Sequence, residues 1–562
     1  MGRKSKHKKL KGNDSQRIHQ NLESQNGRMK KRKRHGCGRP KNDHNHPSEF
    51  SFSDIPSLSS LPLVRNHDWY NDIQAQSSTT SHQHNLYMTW LQEIPMFKQQ
   101  QMRSRSIIPT QESQHKVQAL ETLKKENQML QQALEGLKHF LWPAAIQCAK
   151  NAERCRGFGC RGSGRNRNHH ANVMKEFRAA RSHCNYFESL GHQAWNGSSL
   201  DGGKFACRSA LKLANIDASL DFLLTRSTCT RVSPSGQNVH FSFVDLCGAP
   251  GGFSEYILHR HRHRHNYDSK EDGSEKASSC LGYGMSLSGT NEHGEGLDWN
   301  WKHIQHMDEK GSNSNCKFRI CVGEDETGDI YNWNNVIALR NEMQHEWTKT
   351  NHKNDTHQDT KDWNKDDWKV DLVVADGGFD AQRDSNYQEQ LSFRIVTCEV
   401  AAALYLLRKG GNLVVKVFGY QTDSILKMIK HLHHCFDNLT SIKPVTSRPA
   451  SAERYLVCLG YDGGSCEFDT KVWRDEVLTL DSTPIDRTTS SETKSPDKNY
   501  LEMEHFFAEC EQDMLHLNVR ACHGILSHLE RNSMRQIDNS DNVKYSVEKK
   551  VDFNNYRRAW KL

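Results

Sequence analysis

Val244-Asp245-Leu246-Cys247-Gly248-Ala249-Pro250-Gly251-Gly252-Phe253-Ser254-Glu255 decides how this chain is read. An apolar strand-like run (HFSFVDLC, 240–247) ends at an acidic residue, enters a glycine-rich turn and opens onto a helical stretch. Working outward, CLGYGMSL (280–287), VDLVVAD (370–376) and GNLVVKVF (411–418) are further short runs, rich in β-formers and apolar throughout. Strands of that kind are buried on both faces, as in a parallel sheet covered by helices. Helical stretches separate them; one, Ser392 to Leu407, precedes a Gly410-Gly411 stop. The expected fold is α/β, a doubly wound, mostly parallel sheet.

The glycines let backbone approach a ligand closely. No Gly-Lys-Ser/Thr follows, which excludes a P-loop, and the spacing is not the Gly-x-Gly-x-x-Gly of a dinucleotide fold. A glycine turn without a phosphate-binding lysine suits the phosphate-free amino-acid end of S-adenosylmethionine.

The rest of the 562-residue chain bounds the reading. Only 35% of residues are hydrophobic and the mean hydropathy is −0.85, so one sizeable domain with long polar segments is expected. Residues 1–41 carry 15 Lys and Arg against two acidic residues, so the net charge of +8 resides in an N-terminal arm. The clusters Arg3 to Lys11 and Arg28 to Lys41 read as a nuclear localisation signal or nucleic-acid patch. No apolar run is long enough for a membrane span. No secretory h-region is present, and Lys6 breaks the myristoylation pattern after Met1-Gly2. The 17 cysteines show no framework spacing and are expected as reduced thiols in a soluble intracellular protein.

Six segments are expected. Residues 1–115 read as a disordered basic arm. Residues 116–142 read as a short coiled coil: Leu120, Leu123, Leu130, Leu134, Leu137 and Leu141 alternate at steps of three and four, with Asn127 in register. A coiled-coil dimer is one expected use. Residues 143–170 read as an Arg/Gly-rich linker, in which Cys148, Cys155 and Cys160 lack the spacing of a metal site. Residues 171–462 form the folded α/β domain, interrupted by polar insertions at His259 to His265, an alternation of His and Arg, and at Trp347 to Trp368. Residues 463–497 read as a linker and 498–562 as a C-terminal helical segment.

D-L-C-G-A-P-G-G-F-S-E resembles motif I of the FtsJ/RrmJ-type 2′-O-ribose methyltransferases. FACRSALKLANID (205–217), GEDETGDI (323–330), DLVVADGGF (371–379), GNLVVKVF (411–418) and KPVTSRPASAERY (443–455) follow in family order. Together they resemble the branch that methylates the mRNA cap. The resemblance implies a Rossmann-like class I methyltransferase fold, S-adenosylmethionine as cofactor, capped mRNA as substrate, RNA polymerase II or the capping machinery as partners, and the nucleus as location. Within the class, cap-2, rRNA and tRNA methylation are alternatives; outside it, the alternative is a non-catalytic RNA-binding scaffold.

The resemblance places a Lys-Asp-Lys-Glu set on Lys212, Asp376, Lys416 and Glu453. Asp376 and Lys416 each close a parallel strand, at the edge where such sheets bind ligands. Glu453 opens ERYLVCL, expected as an antiparallel strand reaching the same edge. A lysine is a poor base at its free pKa of about 10.4, so Lys416 is expected as a base whose pKa Lys212 depresses. Asp376 is expected to orient Lys416, and Glu453 to fix Lys212 or the ribose. Cofactor contacts fall on Asp245, Cys247, Gly248, Ala249, Pro250, Gly251, Gly252, Phe253 and Asp329, the last bonding a ribose hydroxyl or the adenine amino group. Asn386, Tyr387, Gln388 and Ser451 are expected to line the RNA path, and Arg181 to meet the cap. Cys207 stands where relatives carry Asn.

Overall fold

In a computed structural model, the described residues are 50–57, 97–98, 111–156, 169–185, 205, 209–226, 240–262, 279–289, 298–299, 316–352, 368–378, 387–463, 470–481, 498–538 and 560. The sheet has the order β1-β7-β8-β6-β5-β2-β3-β4. Its strands are β1 (Phe97–Lys98), β2 (His240–Leu246), β3 (Ser279–Met285), β4 (Cys316–Ile320), β5 (Val370–Ala375), β6 (Leu407–Val417), β7 (Phe436–Ile442) and β8 (Arg454–Tyr461). From β4 across to β6 every neighbouring pair is parallel. β8 enters antiparallel between β6 and β7, and β1 pairs antiparallel with the far edge of β7. β8 therefore starts at the edge where β5 and β6 end. Register places Lys416 of β6 opposite Tyr455 of β8.

Both faces of the sheet are buried, as the apolar runs require. β5 shows it: Val373 and Ala375 enter one core, Leu372 and Val374 the other. Helices α3 (Ser209–Ser219) and α4 (Gly252–Arg262) supply one face; α5 (Trp333–His352), α6 (Gln388–Leu406) and α7 (Asp423–Cys435) supply the other.

The flanking segments differ from expectation in several places. The zipper stretch lies inside a longer helix, α1 (Gln111–Arg156), which continues through Pro143, so the first part of the expected linker is helix. Its leucine seam is occupied by the chain's own C-terminal helix, α9 (Lys498–Asp538). Lys116 pairs with Glu502, Asn127 Nδ2 donates to Ala508 O at 2.8 Å and Asn151 Nδ2 donates to Ser533 Oγ at 2.5 Å. Both helices advance together through these contacts, so they run parallel, with Leu120, Leu130, Leu134 and Leu137 buried. The heptad reading locates the seam; the partner is intramolecular, because α9 presents its own apolar face, not a second chain. Helix α2 (His169–His183) packs on both.

Helix α8 (Thr470–Asp481) replaces the expected linker there, because Trp473 is buried and stacks on His431. In the His/Arg alternation, His259, Arg260 and His261 form the buried end of α4, not a surface insertion. The Arg260 guanidinium lies 4.5 Å over the Phe222 ring, and His261 stacks on Phe241. Helix α5 likewise runs into the second polar insertion. Within the N-terminal arm, 52–54 form a helical turn and 97–98 a strand; both basic clusters and residues 157–168 lie outside the described residues. In the C-terminal segment α9 ends at Asp538, and Trp560 is buried in the α3/α4 core.

Leu134→Ala, at a buried position of the α1 leucine seam, is expected to cost about 2–5 kcal/mol of unfolding free energy in denaturant titration. Met129→Ala, on the exposed side of α1, is expected to stay within about 0.5 kcal/mol.

Candidate active site

The glycine loop is built by exclusion of side chains. Asp245, wholly buried at the end of β2, accepts from Ser254 N (3.1 Å) and Ser254 Oγ (2.6 Å), tying the loop to the first turn of α4. A Cβ on Gly248 would overlap the Asp245 carboxylate, and Gly251 holds φ +107°. Burial, against the Ser254 bonds, pushes the Asp245 carboxyl up to about 7. Asp245 thus shapes the loop through Oδ2, while its Oδ1 is buried without a hydrogen-bond partner among the described residues. The Phe253 ring is buried, 5.8 Å from that of Tyr455, which leaves its backbone at the loop. Cys247, with φ +53°, donates its backbone N–H to Met285 O, which leaves Cys247 to Gly252 as the rim.

The loops after β3 and β4 complete that rim. Ser288 N donates to Thr327 O and Gly328 N to Val322 O. Gly328 holds φ +70°, where a Cβ would overlap Ser286 O. Asp329 accepts from Tyr331 N at 2.9 Å through Oδ1, leaving Oδ2 for a ligand hydroxyl or amine. Leu287, Val322 and Tyr331 stay 40–48% exposed on these loops. Exposed apolar surface beside a carboxylate and a cation-free glycine loop fits the adenine, ribose and cationic sulfonium of S-adenosylmethionine.

Beside that rim the four charged residues converge as two crossed pairs. Lys416 Nζ lies 3.1 Å from Asp376 Oδ1 and donates to Asp376 O at 2.7 Å. Lys212 Nζ, from α3, lies 2.8 Å from Glu453 Oε1. Tyr455 links the pairs: its hydroxyl donates to Asp376 Oδ1 at 2.9 Å and Lys212 Nζ sits 6.0 Å over its ring. Burial works against the Lys416 ammonium, but Asp376, with Glu453 and Glu399 beyond it, outweighs burial and holds its pKa above the ordinary lysine value. This corrects the expectation that Lys212 depresses it: Lys212 is matched by Glu453. Burial would raise the Glu453 carboxyl, but Lys212, Lys416 and Lys443 together drive it well below the usual range. A Cβ on Gly378 would come 3.1 Å from Lys416 Nζ, so its absence opens the approach to the amine.

Sequence reasoning missed three residues of this site. Tyr455 closes the KPVTSRPASAERY motif, and its place opposite Lys416 follows from strand register. Lys443 is buried and donates to Ser451 O (2.7 Å) and Glu453 O (2.6 Å). Burial brings it down to about 7. Glu399 of α6 accepts from Gly377 N at 2.9 Å and from the Cys247 thiol, joining the glycine loop to the end of β5; burial pushes it up to about 8. Glu399 as the single charged residue in the apolar stretch Ile395 to Leu407 was the available signal.

Residues 205–461 match the FtsJ-like methyltransferase family. They form an FtsJ-like methyltransferase domain. Among similar proteins, cap-specific mRNA (nucleoside-2′-O-)-methyltransferase 1 of Xenopus laevis is 29% identical over 296 residues, 52% of this chain and 28% of that one. The enzymes of that name from Drosophila melanogaster and Homo sapiens are 31% identical over 288 residues and 30% over 296; these span 50% and 52% of this chain and 29% of each relative. The match thus covers less than a third of the relatives' length.

In this FtsJ-like domain Ser451 sits two residues before Glu453, its Oγ accepting from Glu453 N. Tyr387, 57% exposed, precedes Gln388 at the start of α6. Asn386 and Cys207 lie outside the described residues. Arg181 lies on α2, its guanidinium 5.4 Å over the Phe177 ring, outside the matched span.

Gly248→Ala is expected to weaken S-adenosylhomocysteine binding at least about 100-fold by calorimetry while far-UV circular dichroism stays unchanged. Unaltered affinity would show that the loop is not the cofactor rim.

Proposed function

We propose that the FtsJ-like domain methylates the 2′-hydroxyl of the first transcribed nucleotide of capped mRNA, with Lys416 as the base. The observation that carries it is the pair of crossed Lys–acid contacts at the carboxyl edge, beside a rim fitted to S-adenosylmethionine. The substrate class follows the names of the relatives. The basic clusters at residues 3–11 and 28–41 support import into the nucleus, and RNA polymerase II or the capping machinery as partners belongs to the same proposal.

When bound, S-adenosylmethionine supplies an electrophilic methyl group on a cationic sulfonium. Asp376 holds Lys416 in one orientation through its carboxylate and its carbonyl. Asp376 favours the charged form of Lys416, so the neutral amine is a minor fraction that grows as pH rises. The neutral amine then takes the ribose 2′-proton as the oxygen attacks, and passes it to solvent. Glu453 keeps Lys212 extended toward the same oxygen, so Lys212 donates to it as charge builds. Positioned proton transfer of this kind contributes about 10²- to 10⁴-fold.

The test is methyl transfer from labelled S-adenosylmethionine to matched capped and uncapped RNAs, with nuclease mapping. Labelling of capped RNA at its first nucleotide is expected; labelling at the second moves the assignment to cap-2, equal labelling of uncapped RNA moves it to rRNA or tRNA, and binding without labelling favours a scaffold.

Lys416→Ala is expected to lower single-turnover rate at least about 100-fold with S-adenosylhomocysteine affinity near wild type. Because Asp376 raises the Lys416 pKa, the wild-type rate should climb with pH through the neutral range, as the neutral fraction grows. Asp376→Asn removes that raising influence, so the rising limb should shift to lower pH. A pH-independent wild-type rate would contradict Lys416 as the base.

A further inference from the structure

We infer that α9, which lies outside the family match, positions the RNA-side loop of the active site through Asn518 and Glu511. This rests on the RNA 2′-O-methylation reading. The loop between β7 and β8, residues 443–453, carries Ser451 and Glu453 and is gripped from three directions. Lys443 holds Ser451 O and Glu453 O from beneath. Asn215 Oδ1 of α3 accepts from Val445 N at 2.8 Å. The third grip is α9: buried Asn518 donates through Nδ2 to Pro449 O at 2.5 Å and to Ser451 O at 3.2 Å.

Glu511 stands seven residues earlier, about two turns away on the same face of α9. Its Oε2 lies 3.0 Å from Arg454 Nη1 and accepts from Tyr420 N at 3.0 Å; its Oε1 accepts from Gln421 Nε2 at 2.9 Å. Arg454 and Glu511 are both buried. Arg454 follows Glu453 directly, and Tyr420 lies just past Lys416 and the end of β6. One carboxylate thus clamps the start of β8 to the exit of β6, the two strands that bring Glu453 and Lys416 together. A buried ion pair is a poor source of net stability, but it fixes geometry, which here means the separation of two charged residues.

Helix α1 holds α9 in that place. Asn127 bonds Ala508 O, and Gln512 Nε2 donates to Glu126 at 2.8 Å, within one residue of Glu511. The leucine seam therefore acts as a splint: it sets the height of α9 against the loop, and Asn518 passes that setting to Ser451. Neither residue touches substrate in this account; both are positioning residues.

The test uses the full chain with a capped RNA oligomer. Asn518→Ala removes both donors; Asn518→Asp does so at unchanged volume. Each is expected to raise KM for RNA about tenfold, the loss of roughly 1.4 kcal/mol of loop restraint. The S-adenosylhomocysteine Kd should stay at its wild-type value and kcat within about threefold. Wild-type KM for RNA in both variants overturns the inference. So does a fall in cofactor affinity in step with RNA affinity, which marks general loosening. A wild-type chain that labels no RNA defeats the methylation reading instead, and the two failures are told apart by that control.

Discussion

The contact between Lys416 and Asp376 is the constraint on which the site depends. Two parallel strands, β5 and β6, end side by side, and the ammonium of one is held by both the carboxylate and the carbonyl of the other. Burying a lysine alone is costly. Here its compensation is a carboxylate that also accepts from Tyr455, whose position is set by antiparallel β8. β8 in turn brings Glu453 to Lys212. Removing any one member leaves a buried charge or hydroxyl without its partner, so the four charges and Tyr455 form one unit.

That unit sits at the edge of a sheet whose strength comes from elsewhere. Alternate residues of β5 feed two separate cores, so the strand ends are fixed by apolar packing on both sides. The glycine loop is held the same way: Asp245 caps α4, Glu399 ties Cys247 to Gly377, and Gly248 survives only because a Cβ has no room. A rim assembled from backbone and small residues leaves its polar groups free to meet a ligand without reorganising.

The central strands and the convergence of the four charged residues were legible because their signals are local and strong. Continuous β-branched runs such as VDLVVA have few other uses, and the quartet lies at fixed places within motifs. What was not legible depended on long-range packing. The heptads of α1 specify an apolar seam but not whose helix fills it; α9 lies almost 400 residues further on. The His/Arg alternation at 259–261 is hydrophilic by composition, yet rings of Phe222, Phe241 and Phe205 accept its side chains. The resting charge of Lys416 likewise required distances: two lysines and two acids in a list do not say who pairs with whom, and the observed pairing raises the pKa that an isolated second cation would have lowered.

The most direct measurement is a crystal structure of the full chain with S-adenosylhomocysteine and a capped RNA oligomer. The account predicts the 2′-oxygen of the first transcribed nucleotide within hydrogen-bonding distance of Lys416 Nζ, with Lys212 also reaching it, above Gly378. A ribose seated away from Lys416, with the Lys416–Asp376 contact sealed from substrate, would contradict it.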